Sequence, residues 1–356
     1  MAKGVLGNDP FQQGAASRET KLPVLAPSTA QPHAGSPELV GVVNDQALPH
    51  PASPDLLEVR TPDKPTAAEP NVNVSALAPP TASAPAWRQA LDAAKGLARV
   101  LATGLGTAAG TEVDAYGRDA TLLRNVSPLA SFLFERYWRV QVEGAEHVPL
   151  GRAVLVANHS GALPFDGPVL SLALRRERPQ LPQARWLVED QVFYAPFLGL
   201  LVNRLGAVRA SPENATRLLD ESRPVIVFPE GIHGLSKPFQ ERYQLQRFGR
   251  GGYVKLALRT GAPIIPVAVV GAEESLPLFG KLPGGWLGLP YLPLTPLGPV
   301  PLPAKWIIRF GEPIDLGGLT SDAAEDLAEV QRLNDATREA VSSMLAALLQ
   351  KRSSVF

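Results

Sequence analysis

Residues 151–168, GRAVLVANHSGALPFDGP, decide the fold and hold the first candidate site. The apolar run AVLVA is short and β-branched, which is typical of a buried strand. His159 follows this run, at the strand end where open α/β sheets place their ligands. Gly161 and Pro164 allow a sharp bend, and Asp166 stands before an apolar helical pattern. The stretch therefore predicts a general base at a strand end, with a carboxylate to orient it.

Outward from this stretch the chain alternates between short apolar strands and amphipathic helices. We expect strands at 138–143, 153–157, 185–189, 205–209, 224–228, 264–270 and 305–310. We expect helices from Ser127–Pro128 and Ser211–Pro212, because Ser caps a helix and Pro suits its first turn, and at 195–202, 252–260 and the C-terminus. The alternation predicts an α/β fold with a mostly parallel sheet covered by helices.

Composition divides the chain into three parts. Residues 1–86 hold 14 of the 36 prolines and almost no aromatic residues, so we expect a disordered Pro/Ala-rich tail. Residues 87–126 read as an amphipathic helical lead-in. Residues 127–356 then form the main domain and its C-terminal helix.

The overall charge and the residue types present exclude several classes of function. Lys and Arg balance Asp and Glu at 34 each, which gives no global field to attract nucleic acid. The absence of cysteine removes thiolate metal sites and a cysteine nucleophile, and no histidine spacing indicates a metal site. The N-terminus lacks the apolar core of a secretory signal and no run is long enough to span a bilayer, so we expect a cytoplasmic protein.

Polar residues at three predicted strand ends could meet in one crevice. They are His159 with Asp166, then Arg209, then Glu230–Gly231. Each has an ordinary structural explanation: a satisfied histidine, a helix cap, a surface ion pair and a turn. Their shared placement favours a functional site.

Together these residues resemble four motif blocks of the glycerolipid acyltransferase superfamily, of lysophosphatidate type and diacylglycerol-acyltransferase-like type. The resemblance covers roughly residues 115–320. Its blocks are Asn158-His159 with Asp166, Gly206-Ala207-Val208-Arg209, Phe228-Pro229-Glu230-Gly231 and Ile265-Pro266-Val267-Ala268.

The resemblance implies a catalytic function and an acyltransferase-like fold. His159 would take the proton of an acceptor hydroxyl as it attacks the thioester of acyl-CoA or an acyl-carrier protein, with Asp166 orienting the imidazole. Glu230 and Gly231 would help to bind the acceptor, and Arg209 its polar head. Backbone N–H groups at Gly161 and Gly231 are oxyanion candidates. No metal or other cofactor is expected.

Two departures from the family pattern bear on the acceptor. Six residues separate His159 from Asp166 where four are commoner, so the loop must fold back to join them. After Glu230-Gly231 the chain continues IHGLSK, without the arginine that phosphate-binding relatives carry. Lys237 would replace that arginine only as a point charge.

The sequence thus predicts a membrane-associated O-acyltransferase acting on a glycerolipid or similar lipid alcohol. A non-catalytic lipid-binding relative and an acyl-thioester hydrolase are the alternatives. Residues 275–303 are apolar without a regular period, and either dip into a membrane surface or fold over the domain. Residues 87–105 either pack on the domain or lie on a membrane as a basic amphipathic helix.

Overall fold

A seven-stranded sheet forms the centre of the described part of the chain. The computed structural model describes residues 85–102, 112–159, 161–194, 198–285 and 291–356. The strands of this sheet are β1 (Gln141–Glu143), β2 (Ala153–Ala157), β3 (Arg185–Val188), β4 (Ala207–Arg209), β5 (Pro224–Val227), β6 (Ile264–Val270) and β9 (Ile307–Phe310). Their order across the sheet is β1-β9-β6-β2-β5-β3-β4. Only β6 and β9 pair antiparallel among these strands, so the predicted mostly parallel sheet is confirmed.

Helices cover the sheet, and a small hairpin of β7 (Gly280–Leu282) and β8 (Leu292–Leu294) lies outside it. The helices are α1 (Ala86–Ala102), α2 (Ala120–Phe132), α3 (Asp166–Glu177), α4 (Asp190–Tyr194), α5 (Leu198–Leu205), α6 (Pro212–Asp220), α7 (Gly231–Leu235), α8 (Gly252–Thr260), α9 (Ala272–Ser275) and α10 (Leu327–Lys351). Within the described ranges no helix is long and apolar enough to cross a membrane.

Strand β2 lies at the centre because its side chains are apolar on both faces. Val154 and Val156 enter one core with α6, α8 and α10, whereas Leu155 enters the other core with α3. Such alternation follows from the two-residue period of a strand. Hydrogen bonding to β5 on one side and β6 on the other fixes the strand end from which His159 emerges.

The predicted start of α2 at Ser127–Pro128 is wrong. The helix begins eight residues earlier, where the Asp119 side chain caps it by accepting from the Thr121 and Leu122 N–H groups. Pro128 lies inside the helix, which continues as a π-helical turn to Tyr137. A proline inside a helix removes one hydrogen bond. Packing against α1 helps to offset that loss, because Gly96 brings α1 onto the Asn125 carbonyl.

Other boundaries differ by a few residues. Of the predicted helix over 195–202, residues 195–197 lie outside the described residues, and α5 continues past the predicted end to Leu205. The strand predicted over 205–209 is confined to Ala207–Arg209. The predicted tail, 1–86, lies almost wholly outside the described residues, as does 103–111 of the lead-in. The domain boundaries therefore stay predictions.

Candidate active site

His159 and Asp166 lie in direct contact although six residues separate them. The Nδ1 atom of His159 is 2.6 Å from the Asp166 Oδ2 atom, and Asp166 is fully buried. The imidazole also stacks on the Phe228 ring, with 4.4 Å between centroids. Two independent contacts therefore fix the plane of the histidine ring.

The loop between these residues folds back over the segment that follows β6. Gly161 adopts φ 83°, a conformation that glycine tolerates best, and a Cβ there would lie 3.2 Å from the Ala272 carbonyl oxygen. The next residue, Ala162, donates its N–H to the Leu276 carbonyl. Asp166 then begins α3, and its Oδ1 atom accepts from the Gly167 N–H.

The His159–Asp166 hydrogen bond fixes the tautomer of the ring. A carboxylate can only accept, so Nδ1 carries the proton and Nε2 has a free lone pair. Among the residues that the structure describes, none forms a hydrogen bond to Nε2. The ring is thus arranged to take a proton at Nε2 and to share the resulting charge with Asp166.

Both carboxylate oxygens of Glu230 bind groups of the protein, one of them the backbone of His159. Its Oε1 atom accepts the His159 N–H at 2.8 Å, and its Oε2 atom accepts the Gln246 N–H at 2.7 Å. The side chain is fully buried. The carboxylate thus contacts the backbone of His159 and is not part of the described cavity lining, and its predicted role in binding the acceptor stays a prediction.

Lys237 is also directed inward and buried, and its predicted contact with the acceptor stays a prediction. Its ammonium lies 3.4 Å from Glu230 Oε2 and 3.2 Å from Glu273 Oε1, and it donates to the Gln244 carbonyl. Glu273 accepts the Tyr243 N–H as well. Burial raises the pKa of Glu273 from 4.5 to about 7, against the opposing effect of Lys237.

Three glycines near the dyad lie in different surroundings. Gly231 lines the cavity, but its N–H donates to the Phe228 carbonyl at 3.0 Å, so it is not a free oxyanion donor in this structure. Gly161 lies against Ala272, outside the cavity lining, and its oxyanion role stays a prediction. Gly234 was not predicted, yet a Cβ there would come within 2.7 Å of the His159 Cβ.

Arg209 ends β4 and is not part of the described cavity lining, and it forms a partly exposed ion pair. Its Nε atom is 2.9 Å from Asp190 Oδ1, and its guanidinium lies over the Tyr194 ring. This geometry fits the ordinary structural explanation given for Arg209 in the sequence analysis, a surface ion pair. Its predicted contact with the acceptor head finds no support in the lining of the cavity.

An apolar cavity opens beside His159, at the carboxyl ends of β2, β3 and β5. Its described lining holds no Lys or Arg, and its charged or titratable members are His159, Asp166 and Glu189. The remaining lining residues are Pro164, Trp186, Leu187, Val188, Gln191, Val192, Ala210, Val227, Phe228, Gly231, Ile232 and Leu235. Such a lining suits a hydrocarbon chain with few polar groups to orient it.

Asn158 fixes the strand end that presents His159. Its side chain donates to the Val269 carbonyl at 3.0 Å and accepts the Val269 N–H at 2.8 Å. These two hydrogen bonds take the place of backbone hydrogen bonds between strands, and they join the end of β2 to β6. The asparagine next to the histidine therefore supports the site without lining the cavity.

Comparisons with known proteins agree with this geometry. The sequence model of a family described as acyltransferase matches residues 139–270, which include β1 to β6 and the dyad. An uncharacterized protein of Mycobacterium tuberculosis is 45% identical over 241 residues, 65% of this chain and 67% of the relative. One of Mycobacterium leprae is 44% identical over 255 residues, 68% and 70% of the two chains.

The chain belongs to the acyltransferase family. The family match supports acyl transfer as its general activity. Among solved structures, it is similar to the 1-acyl-sn-glycerophosphate (LPA) acyltransferase PlsC of Thermotoga maritima. That match has 22% identity and a TM-score of 0.43, and covers 75% of this chain and 98% of the other.

Proposed function

We propose that this acyltransferase moves a fatty acyl group from acyl-CoA or acyl-carrier protein to a hydroxyl of a glycerolipid or similar lipid alcohol. The observation that carries the proposal is the contact between His159 Nδ1 and Asp166 at the rim of an apolar cavity. A base with a fixed tautomer is what an alcohol needs in order to attack a thioester at neutral pH.

The proposed step balances without a covalent enzyme intermediate. The acceptor oxygen attacks the thioester carbonyl carbon while its proton passes to His159 Nε2. The carbon–sulfur bond then breaks, and the imidazolium returns the proton to the thiolate that leaves. Asp166 stabilises the imidazolium that exists between these events. The products are an ester and a free thiol.

Two exposed apolar surfaces support action at a membrane. On the hairpin, Leu282 and Leu294 are about half exposed and belong to the same face, because Gly280 pairs with Leu294 and Leu282 with Leu292. On α1, Trp87 and Leu91 are exposed whereas Ala93 is buried. Trp286 of the predicted surface lies outside the described residues. Apolar side chains of this kind favour a bilayer interface.

Product analysis tests the proposal. The full-length protein is incubated with acyl-CoA labelled in its acyl chain and with vesicles that contain a lipid alcohol. We expect a labelled ester with release of one thiol for each ester formed. Labelled free acid alone would instead identify a thioester hydrolase, and binding of the vesicles without turnover would identify a lipid-binding relative.

A further inference from the structure

Glu189 is a second carboxylate in the cavity that none of the four motif blocks includes. It follows β3 directly and lines the same cavity as His159 and Asp166. Since β3 runs parallel to β5, and β5 to β2, Glu189 lies at the edge of the sheet where the dyad lies. Its position alone therefore makes it a candidate contact for a substrate.

The carboxylate of Glu189 is only partly satisfied by the protein. Its Oε1 atom is buried and has no hydrogen-bond partner within the described residues. Burial raises the pKa of this carboxyl group, whereas His159, a backbone hydrogen bond from Ile232 and His233 lower it. A further hydrogen-bond donor would stabilise the ionised form, and a hydroxyl of a bound molecule is such a donor.

The surrounding charges make this cavity unsuited to phosphate. Its described lining carries two carboxylates and no Lys or Arg. The two basic residues of the predicted acceptor site are paired with carboxylates, Arg209 with Asp190 and Lys237 with Glu230 and Glu273. A phosphate group would therefore meet like charge without a compensating cation, which disfavours its binding.

We propose that Glu189 binds the acceptor and selects an uncharged lipid with at least two hydroxyl groups over a phosphorylated one. One hydroxyl would be acylated at His159, and the second would donate a hydrogen bond to Glu189. The inference rests on the proposed acyl transfer and adds the class of acceptor. Glu189 would attract the second hydroxyl of an uncharged lipid and repel the phosphate of a phosphorylated one.

Three acceptors separate the two effects in the full-length protein. They are a monoacylglycerol, a long-chain alcohol with a single hydroxyl, and a lysophosphatidate, each presented in neutral vesicles with the same labelled acyl-CoA. For the wild type we expect the highest kcat/KM with monoacylglycerol and the lowest with lysophosphatidate.

The variants Glu189→Ala and Glu189→Gln then test the residue. Loss of one hydrogen bond predicts a fall of about tenfold in kcat/KM for monoacylglycerol in Glu189→Ala, with the single-hydroxyl alcohol almost unchanged. Glu189→Gln keeps an acceptor but loses the charge, so lysophosphatidate should gain about tenfold relative to monoacylglycerol. Glu213→Ala removes an exposed carboxylate in the first turn of α6 and is the matched control.

The outcomes distinguish this inference from the function on which it rests. Ester formation with unchanged acceptor ratios in folded Glu189→Ala and Glu189→Gln would overturn the role of Glu189 and leave acyl transfer intact. A higher kcat/KM of the wild type for lysophosphatidate than for monoacylglycerol would also overturn the role of Glu189 and leave acyl transfer intact. Absence of ester with all three acceptors would overturn the proposed function, and the inference with it.

Discussion

Two carboxylates hold His159 from different sides and serve different purposes. Asp166 contacts the ring at Nδ1 and faces the cavity, whereas Glu230 contacts the backbone N–H and faces a buried cluster with Lys237 and Glu273. Asp166 can respond to a charge that appears on the ring. Glu230 cannot, because both of its oxygens are bound by groups that do not change during the reaction. Proximity to the candidate base is thus not evidence of a catalytic role.

The largest difference between the Asp166 and Glu230 carboxylates should appear in the rate of acyl transfer by Asp166→Asn. Asparagine keeps the shape of the side chain but presents no charge to the imidazolium, so we expect transfer to fall on the order of 10²–10⁴-fold. The free energy of unfolding should change little, since an amide oxygen can still accept from Gly167. Steady-state rates and urea unfolding measure the two. If Asp166→Asn transferred acyl groups at the wild-type rate, the pair of His159 and Asp166 would not be needed for the reaction.

For Glu230→Ala we expect the larger effect on the free energy of unfolding. Removing this buried carboxylate leaves Lys237 without one partner and two backbone N–H groups unsatisfied. We expect the free energy of unfolding to drop by about 3–5 kcal/mol. The double variant Glu230→Ala/Lys237→Met should recover part of this loss in a double-mutant cycle. Unchanged stability in Glu230→Ala would contradict the assigned support role.

The pH dependence of stability probes Glu273 in the buried cluster. Because burial raises its folded-state pKa from 4.5 to about 7, its contribution is present below pH 4.5 and is lost as pH rises through 7. Glutamine does not titrate, so Glu273→Gln cannot lose this contribution. Between pH 5 and pH 8 the free energy of unfolding of Glu273→Gln should therefore rise by on the order of 2 kcal/mol relative to that of the wild type, as measured by urea unfolding. Parallel pH profiles for the two proteins would show that Glu273 does not titrate in this way.

The smallest effect on stability is expected at the hairpin, far from either carboxylate. Leu282→Ser/Leu294→Ser should weaken binding to anionic liposomes by about tenfold while unfolding changes by less than about 0.5 kcal/mol. Leu276→Ser/Leu278→Ser is the matched control, because these two leucines are buried. The control should be strongly destabilised. Equal liposome binding by wild type and Leu282→Ser/Leu294→Ser would exclude this face from the membrane contact.

The sequence was a sound guide wherever a local pattern decided the structure. The strand predicted over 264–270 and the helix over 252–260 are observed at those bounds, because apolar runs and their flanking glycines are local signals. The start of α2 was wrong since Ser127–Pro128 has the form of a cap, whereas packing on α1 and the Asp119 cap decide where the helix begins.

The direction of a charged side chain was not accessible from the sequence. Lys237 and Arg209 read as solvent-facing contacts for a ligand, yet the first is buried and the second is paired on the surface. Glu189 was overlooked because it belongs to no motif. The rule that drew attention to His159 could have found it, since Glu189 ends the predicted strand 185–189 in the same way.

The rate of ester formation by His159→Ala tests the central claim most directly. Wild type and variant are compared with acyl-CoA and a lipid alcohol in vesicles, after urea unfolding has shown that both are folded. If His159 Nε2 takes the proton of the acceptor, the variant should be slower by roughly 10²–10⁴-fold with little change in affinity for the vesicles. A folded His159→Ala protein that forms ester at the wild-type rate would contradict the account.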